Sequence, residues 1–234
     1  MLDEGELHTI LEQLANGRPV FHSEDDFKFA LAQQIKVRFP NAQIRLEFPF
    51  RSKKTSSKAN KTIKKKEDKY IDILVSFGNS LFPIELKYKT RTQNKEKILK
   101  LEYRNEEFEL SEHGAQIENT YRFWRDVWRI ENFIKEKSDS PKGFVIFLTN
   151  RLGYSENEGK HASDVEFRIH QGREVKKHIL KWQKNTKTAK REEFSSSIPL
   201  NGQYKLDWKD FSNKFPNAPT RCGKFIYLLV EVNR

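Results

Sequence analysis

One cysteine and one methionine stand among 234 residues, with only ten glycines and eight prolines. The lone thiol, Cys222, can close no internal disulfide and offers no thiolate cluster for zinc. No apolar run approaches the roughly 18 residues that a membrane helix needs. The N-terminal residues Asp3, Glu4 and Glu6 are acidic rather than basic-then-apolar, so no secretory leader is expected. The six histidines lack His-x-x-x-His spacing, and no Gly-x-x-x-x-Gly-Lys loop is present. Zincin-type proteolysis and nucleotide-driven motors are thereby set aside. The expectation is a cytoplasmic protein with neither a membrane nor a nucleotide cofactor as partner.

Charge is what the chain has in quantity: 33% of residues are charged and 36% apolar, which suits one modest core. The net charge of +11 is concentrated. Residues 51–69 carry nine basic and two acidic side chains, and residues 173–191 carry eight basic side chains and Glu174. Outside these two runs the chain is slightly acidic. Basic runs on a near-neutral body are the electrostatic footprint of a phosphate-backbone partner. Lys53, Lys54, Lys61, Lys64, Lys65 and Lys66 are the candidate nucleic-acid contacts of the first run.

Periodicity supplies the elements. Leu7, Ile10, Leu11 and Leu14 share a helical face that ends near Gly17 and Pro19. Ser23, with Asp26 three residues on, opens a second helix burying Phe27, Ala30, Leu31 and Ile35, and Pro40 ends it. Residues 44–48 alternate as a half-buried strand. The Lys/Ser/Thr-rich stretch 51–69 reads as a loop, and 70–77 and 81–89 are the two best strands, divided by Gly78-Asn79. A polar stretch runs to Gly114. A long helix follows to about Lys137, with Ile117, Tyr121, Trp124 and Trp128 along one side. Residues 143–149 form a continuous apolar, hence buried, strand. Residues 174–182 read as a basic amphipathic helix and 225–232 as a strand. The expected fold is a single α/β domain over 1–234, with a mixed sheet flanked by helices.

The hairpin concentrates the chemistry. A two-residue Gly78-Asn79 loop pairs Phe77 with Ser80 and, counting back, Asp72 with Glu85. Alternation then puts Glu85, Lys87 and Lys89 on the face of Asp72, while Ile71, Ile73, Val75, Ile84 and Leu86 line an apolar face. Two opposed carboxylates with Cβ atoms roughly 4.5–5.5 Å apart destabilise a sheet unless a charge compensates. A divalent cation would do so, because Mg²⁺ takes hard oxygen ligands and completes its shell with water and substrate phosphate. Lys87 could stabilise phosphate charge or help deprotonate a metal-bound water. The ordinary alternative is a sheet face on which Asp72 and Glu85 pair with Lys87 and Lys89.

At these residues the chain resembles the PD-(D/E)XK nuclease superfamily, whose signature is an Asp on one strand and Glu-x-Lys on the next. Here these are Tyr70-Ile71-Asp72 and Glu85-Leu86-Lys87. Ile71 stands where many members have proline. The resemblance covers residues 23–149 and implies a restriction-endonuclease-like α-β-β-β-α-β core, with residues 150–234 as a C-terminal elaboration of helix and strand that could contact DNA. It implies that Asp72, Glu85 and the Leu86 carbonyl bind Mg²⁺ (or Mn²⁺ in its place) and that Lys87 assists the nucleophilic water. A further acid from the first core helix is common in such enzymes; Glu24 is the choice here, with Asp26 and Glu47 as other options. The Gln-x-x-x-Tyr motif of some members is not met by Gln116 and Tyr121, although Gln116 could still face the site. Arg122, Arg125 and Arg129 recur at helical spacing, with Asp126 and Glu131 available to neutralise them.

The expected activity is Mg²⁺-dependent hydrolysis of DNA, by a homodimer if both strands are to be cut. Two alternatives stand beside it: a DNA-binding module that has lost the chemistry, and a nuclease directed at RNA.

Overall fold

The computed structural model describes residues 1–50, 70–92, 98–156, 163–183, 187–219 and 221–234. The chain begins with helices α1 (Glu4–Gly17) and α2 (Glu24–Arg38). Each has a side-chain cap: Asp3 accepts from the Glu6 N–H at 2.9 Å, and Ser23 from the Asp26 N–H at 3.1 Å. Asp26 does not reach back to Ser23. It holds the chain entering α2, accepting from His22 N–H at 3.0 Å and from Arg18 at 2.8 and 2.9 Å.

Strands β1 (Gln43–Pro49), β2 (Tyr70–Phe77) and β3 (Ser80–Lys89) follow, then a small hairpin, β4 (Ile98–Tyr103) with β5 (Glu106–Ser111). Helix α3 (Gln116–Glu136) leads to β6 (Lys142–Thr149). The remaining strands are β7 (Glu174–Val175), β8 (His178–Leu180), β9 (Ile198–Leu200), β10 (Tyr204–Lys205), β11 (Trp208–Ser212) and β12 (Phe225–Asn233). The central sheet has six strands in the order β1-β2-β3-β6-β12-β11. Only β3 and β6 pair in parallel; the other neighbours are antiparallel. A parallel pair needs a crossover, and α3 supplies it. The fold is thus mixed α/β, a mixed sheet flanked by helices.

Both sheet faces are covered. Phe82, Ile84, Leu86 and Tyr88 of β3 and Phe144, Ile146 and Leu148 of β6 pack with α1, α2 and the β4–β5 hairpin. On the other face Val145, Phe147 and Leu228 meet Phe123, Trp124, Val127 and Ile130 of α3 and much of the C-terminal region. Alternation of side chains therefore sends β6, central and apolar on both faces, into two cores at once. Gly143 permits the close approach of α3: a Cβ there would lie 2.6 Å from Ile130 Cγ2 and 2.9 Å from the Pro83 carbonyl oxygen.

Three expectations need correction. The polar stretch before Gly114 contains the β4–β5 hairpin, whose Leu99, Leu101, Phe108 and Leu110 are buried. Its turn residues Arg104 and Asn105 both have positive φ (53° and 65°), as a type I′ turn requires. Residues 174–182 form two short strands rather than a basic helix. Val175 and Leu180 are buried but Ile179 is 45% exposed, so no helical stripe is present, and pairing with β10 and β9 decides the conformation. Ile71 belongs to the core beneath α3 instead of joining Ile73 and Val75.

Candidate active site

The hairpin register is the one that the Gly78-Asn79 turn dictates: Phe77 pairs with Ser80, and the ladder continues to Ile73 opposite Ile84. Gly78 takes φ 57°, the backbone conformation a primed turn needs and glycine adopts without strain. The paired ladder ends there, and Asp72 and Glu85 stand just beyond it, both lining one cleft. Asp72 Oδ2 accepts from the Leu86 N–H at 2.8 Å, and the Asp72 and Glu85 carboxyls are close enough to influence each other's ionisation.

These two acids and Lys87 open onto a polar cleft of about 220 Å³ between the sheet and α3. Glu47 and Asp126 add two more carboxylates to its wall, and Arg122, Arg125 and Arg129 line the helical side. The cleft therefore holds four acids and four bases in a small volume. Glu85 is 1% exposed; its Oε2 contacts Arg129, and its Oε1 has no hydrogen-bond partner. Asp126, 5% exposed, joins Lys87 Nζ at 2.6 Å and Arg129 at 3.0 Å. Lys87 Nζ also donates to the Leu86 carbonyl at 3.0 Å.

The electrostatics split the acids into two kinds. Burial, with the neighbouring Asp72 and Asp126 charges, pushes Glu85 well above the usual carboxylate range even though Arg129 opposes the shift. Burial likewise raises Asp72, against the pull of Lys87 and the Leu86 N–H. Burial would raise Asp126 too, but Lys87 and Arg129 hold it below its ordinary value. Lys87 is desolvated, yet Asp126, Glu24, Asp72 and Glu85 keep it firmly charged. A pair of apposed, hard-to-ionise carboxyls with an unsatisfied buried oxygen can be relieved by a shared proton or by a compensating cation.

Two carboxylates and a carbonyl are a suitable donor set for Mg²⁺, which keeps several waters. Among the described residues, however, no group of three or more His, Cys, Asp and Glu side chains is arranged to hold a metal ion. Asp126 does not complete such a set because it is committed to Lys87 and Arg129.

Glu24, chosen from the sequence as the helix acid, does not line this cleft. It accepts from the Tyr88 N–H at 2.7 Å and from Lys89 Nζ at 2.8 Å, tying the start of α2 to the end of β3. Glu47 lines the cleft in its stead, from a residue with φ 51°. Gln116 is exposed and sits beside Gly153, outside the cleft lining. Glu131 neutralises no arginine; it accepts from the N–H groups of Asn201 and Gly202 and from the Tyr204 hydroxyl, fastening the C-terminal region to α3.

The six candidate lysines, Lys53, Lys54, Lys61, Lys64, Lys65 and Lys66, lie outside the described residues. In the second basic run Arg173 points inward, donating to the carbonyls of Val165 and Glu166 and lying 5.7 Å from the Trp124 ring. Lys176, Lys177, Lys181, Lys187 and Lys190 are exposed.

Sequence reasoning missed Lys28 and the part played by Asp126. The spacing of Asp126 and Arg129 was readable, but the reach from α3 across to Lys87 on β3 depends on packing alone. No helix of the described chain is long and apolar enough to cross a membrane. Comparison with family models, with curated proteins and with solved structures finds no match to this chain.

Proposed function

We propose that this chain is a metal-dependent nuclease that hydrolyses DNA phosphodiesters, built on a restriction-endonuclease-like core. The observation that carries the reading is the apposition of Asp72 and Glu85 at the floor of an arginine-walled cleft, with Glu85 Oε1 buried and unpaired. The order of elements from α2 to β6 is that of the expected core, with the β4–β5 hairpin as an insertion. A single buried thiol suits the reducing cytoplasm.

In this reading Asp72, Glu85 and the Leu86 carbonyl would hold Mg²⁺ or Mn²⁺, which when bound would supply Lewis acidity. Lys87 acts as a fixed cation rather than a base, because Asp126 at 2.6 Å keeps its proton in place. It stabilises charge that develops on the phosphate oxygens, and Arg122 and Arg125 orient the neighbouring backbone. The exposed lysines of the second basic run and, on the sequence reading, those of residues 51–69 would extend the contact to flanking phosphates.

The rival reading, DNA binding without chemistry, draws on the ion pairs that already engage Glu85 and Lys87. Incubating the protein with plasmid and with single-stranded DNA, with Mg²⁺ or with chelator, beside Lys87→Ala, separates the two. Mg²⁺-dependent cleavage lost in the variant supports a nuclease. DNA retention with no cleavage by the wild type under any of these conditions rejects it.

A further inference from the structure

Lys28 is the one charged residue of α2 that the fold buries, and it is 9% exposed. A lysine is seldom taken out of water unless acids compensate for the lost hydration. Three do so here. Lys28 Nζ lies 2.8 Å from Asp25 Oδ1, contacts Glu47 Oε1 and stands 3.8 Å from Asp72 Oδ1. Asp25 is a surface residue of the same helix, but Glu47 and Asp72 both line the cleft. One exposed partner would serve to tie the helix down; convergence on two cleft acids gives the ammonium a place in the site itself.

The local backbone is shaped for this contact. The β1–β2 pairing runs from Leu46 opposite Ile73 to Phe48 opposite Ile71, and omits the intervening Glu47 and Asp72. Glu47 there adopts φ 51°, a left-handed conformation that a non-glycine residue takes only under strain. Asp72 is left with its two oxygens differently engaged: Oδ2 accepts from the Leu86 N–H, and Oδ1 faces Lys28.

We propose that Lys28 is a built-in cation of the site, its ammonium supplying beside Asp72 and Glu47 the charge that a second divalent ion would otherwise bring. The cleft accordingly takes one divalent ion, at Asp72 and Glu85, rather than two. This rests on the metal-dependent reading above. Removing the ammonium would leave Glu47 and Asp72 as two hard-oxygen donors without a partner, a composition that suits Mg²⁺ or Mn²⁺.

The test counts Mn²⁺ bound to the full chain, without DNA, by electron paramagnetic resonance and calorimetry. The wild type should bind one ion, Lys28→Met two, and Lys28→Met with Glu47→Gln one again. Circular dichroism checks that each variant folds, and Lys28→Gln carries the same expectation of two ions should the methionine variant not fold. One ion in the wild type and still one in both folded Lys28 variants overturns the proposal and leaves the metal site standing, with Lys28 a structural tie. Two ions in the wild type overturn it as well. No ion in the wild type removes the metal-dependent reading, and this inference with it.

Discussion

Replacing Asp126 by asparagine keeps the size of a side chain that is 5% exposed and removes the charge on which Lys87 and Arg129 converge. Both partners are themselves largely buried, at 14% and 11% exposure. Removing one member of a buried ion pair costs about 3–5 kcal/mol, because the remaining charge stays desolvated and uncompensated. Arg129 keeps Glu85, and Lys87 retains the Leu86 carbonyl, so the lower end applies: about 3 kcal/mol. In a domain of this size each kcal/mol lowers the melting temperature by roughly 2–4 °C, giving a fall of about 6–12 °C. Urea unfolding should move its midpoint and leave the slope unchanged, since the surface exposed on unfolding is the same. Asp25→Asn is the control; that acid also pairs with a lysine, at 2.8 Å, but is 85% exposed and should leave the melt nearly unaltered. A loss below about 1 kcal/mol for Asp126→Asn would equal that of a surface pair and refute the desolvated network.

Two further outcomes follow from the geometry. Burial raises Glu85, so the folded chain holds a proton that the unfolded chain releases, and metal-free stability should fall as pH rises above the ordinary glutamate range. Thermal melts in chelator should show that slope, and Glu85→Gln or saturating Mg²⁺ should flatten it; an unchanged slope in Glu85→Gln assigns it elsewhere. Glu131→Ala removes the acceptor shared by Asn201, Gly202 and Tyr204, and should cost about 1–3 kcal/mol while opening the chain near residue 202 to limited proteolysis.

Local signals made the hairpin legible. Gly78-Asn79 fixes the turn and alternation fixes the faces from Phe77 back to Ile73, and together they specify the ladder just beyond which Asp72 and Glu85 stand. The capped helices and the continuous apolar β6 were legible for the same reason: each is written within one element. The β4–β5 hairpin was obscured because its four buried residues alternate with glutamates and lysines that dominate the composition. Residues 174–182 misled because Val175 and Ile179 stand four apart, as on one helical face, and the strand partners that decide the conformation lie at 198–205. The site was half legible. Its acids sit on adjacent strands, whereas Lys28 and Asp126 arrive from α2 and α3, and nothing in their neighbours announces where those helices dock. Glu24 was a reasonable choice for the helix acid, yet one helical turn decides the outcome, and Lys28 takes the position nearer Asp72.

In the proposed mechanism Asp72 and Glu85 together would hold the divalent cation on which DNA hydrolysis depends. Asp72→Asn removes one of two apposed carboxyls, and with it both a proposed metal ligand and a charge that would repel incoming phosphate. A DNA-binding titration beside a cleavage time course, with Mg²⁺ present and then chelated, reads both effects in one protein pair. Asp72→Asn should cut no DNA in Mg²⁺ while binding it as tightly as the wild type, or more tightly, in chelator. Cleavage by Asp72→Asn at the wild-type rate would contradict it.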